Sequence, residues 1–155
     1  MKFCLSIYLV CFSFCASALE DSLMKAIEIS AHGNKFQADR LRIIAENLAN
    51  EDSISLTPGG DPYQRRTIFA KNEYDRKLKT RLVKVRKYSV DKKPFKIKFD
   101  PYSPAANDEG YVKLPNVEKI IEKADAMEAQ KSYEANLAIM QTSTQMLEKA
   151  IESMR

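Results

Sequence analysis

The sequence predicts an α+β fold, mainly α, in which long N- and C-terminal helices pack as a coiled-coil-like pair with a small β-rich region between them. Three observations predict it. Tyr133, Leu137, Met140, Thr144, Leu147, Ile151 and Met154 recur at alternating spacings of 4 and 3, the a/d seam of a heptad repeat. Leu23, Ile27, Ala31, Asn34, Ala38, Leu41, Ala45 and Leu48 follow helical spacing near the other end. Between them Phe95-Lys96-Ile97-Lys98-Phe99 alternates with period 2, apolar on one face and lysine on the other.

Taken in order, the chain divides into residues 1–18, a signal-peptide-like segment; 19–53, an N-terminal helix; 54–116, a β-rich middle; and 117–155, a C-terminal helix. The opening, MKFCLSIYLVCFSFCASALEDS, has one lysine, a short apolar run from Phe3 to Cys15, and then Ala16-Ser17-Ala18. That is the pattern of a secretory signal cleaved after Ala18. A start at Met24 is the alternative. The run falls short of the roughly 20 residues that span a bilayer, and no other stretch is as apolar, so an integral membrane protein is not expected. Cys4, Cys11 and Cys15 all lie in this segment, so residues 19–155 contain no cysteine and fold without disulfides.

Ser22 caps the N-terminal helix, which is expected to end near Asn50. Gly33 inside it costs about 1 kcal/mol relative to alanine and signals a close helix crossing or a kink. Pro58-Gly59-Gly60 is a turn. Thr67–Ala70, Leu82–Arg86 and Phe95–Phe99 are the expected strands, and Asp100-Pro101 and Ser103-Pro104 mark a loop. Pro115 and Asn116 then stop the extended chain and cap the last helix, expected over 117–153. Its upstream stripe, Val117, Ile120, Ala124 and Met127, does not join the downstream seam in register, which predicts a stutter near residues 128–132.

Charge is segregated. Residues 20–53 hold seven acids against four cations, residues 61–99 fourteen cations against four acids, and residues 117–155 seven acids against five cations. The net charges are therefore −3, +10 and −2. Acidic ends flanking a basic middle suit contacts between the ends of one molecule and the middle of another, or a basic surface for an acidic polymer.

Chemistry-bearing patterns are missing. His32 has no second histidine or mature cysteine to share a metal or a catalytic proton, so it reads as a helix-surface residue. The chain contains no dinucleotide-binding glycine fingerprint, no P-loop and no nucleophile elbow. Neither an enzyme nor a cofactor is expected. The aromatics interleaved with the middle lysines lack any nucleic-acid-binding signature, so no nucleic acid partner is expected either.

Several stretches resemble one family. Ala45-Glu46-Asn47-Leu48-Ala49-Asn50 resembles the N-L-A-N signature that closes the first helix of bacterial flagellar axial proteins. The segment Gly59-Gly60-Asp61-Pro62-Tyr63-Gln64-Arg65-Arg66, followed by Ile68-Phe69-Ala70, is similar to the P-Y-x-R segment of the proximal rod proteins. The run from Phe99 to Val117, FDPYSPAANDEGYVKLPNV, closely resembles their Y-D-P-x-H-P…G-Y-V-x-x-P-N-V run, and Ser132-Tyr133-Glu134-Ala135-Asn136-Leu137 matches a segment of their C-terminal helix. The match covers about residues 24–155, in order.

The resemblance implies a structural subunit whose terminal helices pack with those of neighbours into a helical tube in the periplasmic space, with the small β region outside. It implies assembly residues at Leu41, Asn47, Leu48, Asn50, Tyr133, Asn136, Leu137, Met140, Leu147 and Ile151. The implied partners are further copies, other flagellar rod subunits, and an exporter, either the flagellar export apparatus or the secretory translocon. The departures are Ser103 at the family's histidine, Lys131-Ser132 before the helix tyrosine, and the added opening segment. The competing reading is a repurposed periplasmic protein whose basic middle contacts an acidic envelope partner.

Overall fold

Apolar spacing makes helices of both ends, and the structure shows how they are used. This computed structural model describes residues 21–153; the signal-like opening and its cleavage residue Ala18, like Met154, lie outside the described residues. The elements are α1 (Lys2–Ala49), described from residue 21, then β1 (Arg66–Asp75), β2 (Thr80–Val90), β3 (Lys96–Phe99), β4 (Tyr111–Leu114) and α2 (Lys119–Ser153). Gly33 meets Asn136, Asn34 meets Met140, Arg40 meets Asp125 and Glu128, and Asn47 meets Glu122. Numbers rise along one helix as they fall along the other, so the two run antiparallel.

The face that α2 turns to α1 sits one residue away from the expected seam. Its inward positions run Glu122, Ala126, Ala129, Tyr133, Asn136, Met140, Ser143, Leu147 and Ala150, a 4-3 alternation with no stutter, and Asp125 and Ser132 are half-buried beside it. Tyr133, Met140 and Leu147 belong to both the expected and the observed seam. Asn136, Ser143 and Ala150 replace Leu137, Thr144 and Ile151, which are exposed. The same offset holds on α1, where Ser30 and Ile44 are buried while Ala38 and Ala45 of the expected stripe are exposed. Small residues let the backbones approach closely. Gly33 is the tightest point: a Cβ there would lie 2.7 Å from the Asn136 amide nitrogen, so the glycine serves a close crossing and α1 continues unbroken through it.

β1 and β2 form an antiparallel hairpin in which a register shift at Phe69/Ala70 leaves Arg86 as a bulged extra residue on β2. The hairpin lies along α1. Thr80 borders the groove of Asp21, Lys25 and Ile29, Val83 and Val85 border His32 and Phe36, and the Arg42 guanidinium sits 5.8 Å from the Tyr88 ring centre. Leu82, only 1% exposed, anchors this layer. At the tip, the Asp75 carboxylate accepts from the backbone N–H groups of Lys77 and Leu78, which hold it below the usual carboxylate range. Lys79 then turns the chain with φ 51°.

β3 pairs with β4, a strand absent from the expectation because its four residues adjoin a long loop. That loop is tied at several points. The Asn107 carboxamide oxygen accepts from Glu109 and Tyr111 N–H, Asp100 N–H donates to Gly110 C=O, and Gly59 N–H donates to Ala105 C=O. Gly110 adopts φ 83°, and a Cβ there would meet the Phe99 ring at 2.9 Å. Ala105, Val112 and Val117, in or beside this loop and strand, are buried. Among the described residues, nineteen large apolar side chains are exposed and seven apolar residues are buried. The single chain therefore leaves much of its apolar surface uncovered.

Candidate assembly interface

The residues implied by the resemblance fall into two places. Asn47 lies in a buried polar junction where both helices and the start of β1 meet. It is 1% exposed, and its carboxamide makes four hydrogen bonds. Nδ2 donates to Arg66 C=O at 2.9 Å and to Glu122 Oε2 at 3.1 Å. Oδ1 accepts from Arg66 N–H at 2.8 Å and from the Tyr63 hydroxyl at 2.9 Å. That exhausts its donors and acceptors. Burial, the largest influence, raises the Tyr63 phenol above its ordinary value; Arg66 opposes this, and Glu46 and Glu122 add to it.

Glu122, fully buried, is the second centre. Its Oε1 accepts from Arg65 Nε at 2.5 Å. Arg65 also reaches Asp125 at 3.3 Å and Asp91 at 3.7 Å. Burial is the largest single influence on the Arg65 guanidinium and lowers it, but the hydrogen bond and charge of Glu122, with Asp125 and Asp91, outweigh burial and hold it above its ordinary value. The Arg65 backbone N–H donates to Asn116 Oδ1 at 2.7 Å, and the Asn116 amide donates to the carbonyls of Asp91 and Lys93. A buried charge is tolerable when it is paired and hydrogen-bonded, as this one is. The junction holds α1, β1 and α2 in one fixed arrangement; it presents no nucleophile with an adjacent base.

Asn50 ends α1. Its amide donates back to Glu46 C=O at 2.8 Å, and Ser53 Oγ donates to its side-chain oxygen at 3.1 Å. Sequence reasoning singled out Asn47 and Asn50 but did not connect Asn47 with its partners Tyr63, Arg66 and Glu122, nor Glu122 with Arg65. The available signal was Glu122 itself, an acid seven residues before Ala129 on the inward heptad, where a charge requires a partner.

The second place is the helix pair. Leu41 and Leu48 are half-buried on α1, and Tyr133, Asn136, Met140 and Leu147 are half-buried on α2. Leu137 is 39% exposed and Ile151 53%, and Thr144 lies at the heptad position between them. Ile139 and Met146, also exposed, lie on the opposite flank of the same seam. Polar contacts between the helices are thin at this level. The Asn34 amide reaches only the Met140 sulfur, at 3.7 Å, and the buried amide oxygens of Asn34 and Gln37 find no partner among the described residues. α2 thus carries a small, partly polar seam turned inward and apolar flanks turned outward.

Comparison with known proteins agrees with this architecture. The family described as "Flagellar basal body rod FlgEFG protein C-terminal" matches residues 108–153, the end of the β region and all of α2. The flagellar basal-body rod protein FlgC of Agrobacterium fabrum is 41% identical over 135 residues, 87% of this chain and 97% of that protein. FlgC of Salmonella typhimurium is 32% identical over 84% of this chain and 96% of its own length, and FlgC of Aquifex aeolicus 35% over the same shares. None of this supports the repurposed binding protein. With a match of this extent across such different organisms, and with the asparagine signature placed at the junction of both helices, the chain belongs to the FlgC family of flagellar basal-body rod proteins.

Proposed function

We propose that this chain polymerises through its terminal helices into the proximal rod of the basal body, where it transmits torque and is required for flagellum-dependent motility. It acts mechanically, not as an enzyme, and needs no cofactor. One observation carries the reading: α2 is already packed against α1, yet Leu137 and Ile151 stand exposed at heptad spacing beside that seam. A helix with a filled seam and a further apolar flank is built to take another helix. Each such side chain contributes about 1.5–3 kcal/mol when a neighbour covers it. A contact between different faces of identical copies makes a ring where its rotation closes and otherwise extends into a helical assembly, the form this reading takes.

In this reading Asn47 and Asn50 hold the subunit in its assembling shape. Leu41, Leu48, Tyr133, Asn136, Met140 and Leu147 form the coiled-coil-like pair, and Leu137 and Ile151 form the polymer seam. Residues 19–53 and 117–155 are the axial segments and residues 54–116 the outer region. The partners are further copies and other rod subunits, in the periplasmic space. Residues 1–18 direct export through the secretory translocon and are removed after Ala18. A native N-terminal peptide beginning at Leu19 is the expected mass; one beginning at Met24 or just after it would make the flagellar export apparatus the exporter.

The assembly reading is tested with Leu137→Asp and Ile151→Asp in source cells. Both changes lie on exposed positions, so the purified variants should keep the wild-type circular dichroism spectrum and urea midpoint. Swarming and rod-bearing basal bodies should be lost. Normal swarming by the double variant would overturn the reading.

A further inference from the structure

α2 carries two seams, and the structure uses one of them. The seam turned to α1 runs Ala129, Tyr133, Asn136, Met140, Ser143, Leu147 and Ala150. The second runs Ala129, Tyr133, Leu137, Met140, Thr144, Leu147 and Ile151. Ala129, Tyr133, Met140 and Leu147 belong to both. The two part at Tyr133, where the second takes one extra spacing of 4 and then resumes the same 3-4 alternation. An extra spacing of that kind is a stutter, which a helix pair absorbs by a local change of winding. The stretch before Tyr133, with Glu122 tied to Asn47 and Arg65, keeps one position in both.

Each seam has something the other lacks. The one in use gains the close approach at Gly33, where the Asn136 amide fits only because no Cβ is present. It leaves Leu137 and Ile151 exposed. It also leaves the buried amide oxygens of Asn34 and Gln37 without a partner among the described residues, and the Asn34 amide nitrogen reaches only the Met140 sulfur at 3.7 Å. The second seam would put Leu137 and Ile151 inside. Thr144 can follow them, because its hydroxyl already donates to Met140 C=O at 2.9 Å and takes no unpaired donor inward.

We propose that α2 beyond Tyr133 exchanges between these two packings in the free subunit, and that the stuttered packing hides Leu137 and Ile151 against α1. The packing seen here is then the assembling form, and a neighbouring subunit selects it by covering those two side chains. The exchange needs only this chain. Its role as a brake on assembly rests on the rod-subunit reading.

Cysteine labelling of the purified full chain tests the exchange. Cys4, Cys11 and Cys15 are changed to serine, and Leu137→Cys or Ser143→Cys reports on each seam. Gly33→Leu fills the close crossing and so penalises the packing seen here. It should slow maleimide labelling of Leu137→Cys several-fold and speed that of Ser143→Cys several-fold. A mere loosening would speed Ser143→Cys and leave Leu137→Cys as fast as before; that result, or no change in either, would overturn the proposal. If Gly33→Leu costs the chain its helical circular dichroism, Leu137→Gln with Ile151→Gln decides. These changes make the second seam polar, and they should slow Ser143→Cys labelling several-fold by removing the packing that exposes it. Unchanged or faster labelling would overturn the exchange. Source cells test the brake separately, since folded Gly33→Leu should swarm poorly. Full swarming with the labelling shifted as stated refutes the brake alone, whereas rods that ignore Leu137→Asp and Ile151→Asp refute the helical seam.

Discussion

Replacing Asn47 by alanine should be among the most damaging single changes outside the apolar core. The carboxamide serves four partners: Arg66 N–H and C=O, the Tyr63 hydroxyl and Glu122 Oε2. A buried polar group left without a partner costs about 1–3 kcal/mol. Arg66 and Tyr63 lie toward the edge of the junction, where water can replace part of what is lost, whereas Glu122 is fully buried. Glu122 at full cost, with the partly water-compensated Arg66 and Tyr63 together counted as one more group, puts the loss at about 2–6 kcal/mol, a large share of the roughly 5–15 kcal/mol that holds a domain folded. At an m value of about 2 kcal/mol/M, the urea midpoint should fall by about 2 M. Asn47→Asp should be no better. It keeps the two acceptor contacts but turns a donor into a carboxylate oxygen facing Glu122 Oε2, now 3.1 Å from the amide nitrogen. The assay is urea unfolding of the purified chain followed by far-ultraviolet circular dichroism. A loss below about 1 kcal/mol for Asn47→Ala would refute the claim that this junction fixes the helices and β1 together.

Other expectations follow from the same geometry. Asn50→Ala removes a cap but no buried charge partner, so it should cost only about 1 kcal/mol in the same unfolding assay. Gly33→Ala should be stabilising, by about 1 kcal/mol, once Asn136→Ala has removed the amide that the new Cβ would meet; the double variant is compared with Asn136→Ala alone. Lys79→Gly should stabilise the hairpin by about 1 kcal/mol, since the left-handed conformation at that turn penalises any residue with a Cβ. Tyr63 gives a pH signature. The unfolded phenol ionises near its ordinary value of about 10, while the folded one holds its proton to higher pH. In that window the native state binds more protons, so stability falls as pH rises through the folded pKa. Urea midpoints at successive alkaline pH values should show this extra decline in the wild type and not in Tyr63→Phe.

Much of the architecture was legible from residue patterns, and the shortfalls have physical causes. The helix pair and the three longer strand signals follow from spacing alone. The heptad of Tyr133, Leu137, Met140, Thr144, Leu147 and Ile151 predicts an apolar stripe that can pack within one chain or against neighbouring chains. The chain instead uses Asn136, Ser143 and Ala150, because small residues allow the close approach at Gly33, and Leu137 and Ile151 are left outside. Apolar periodicity identifies faces that are buried somewhere; it does not say by which molecule. The same ambiguity applies to β3, whose alternation is as expected but whose four residues are all exposed. The pairing at the polar junction is not legible from spacing, because Asn47 and Glu122 are brought together across 75 residues by tertiary packing, with Arg65 joining Glu122; Glu122 alone signals that a partner is needed.

The most direct test of the central claim, that α2 keeps one seam within the chain and offers its flank to neighbours, is cysteine accessibility in two states. In a background with the three native cysteines changed to serine, Leu137→Cys and Ile151→Cys should react readily with a small maleimide in the purified chain and become protected in isolated basal bodies. Ser143→Cys, on the inward seam and only 6% exposed, should be protected in both. Leu137→Cys and Ile151→Cys that react equally fast in basal bodies and in the free chain would contradict the account.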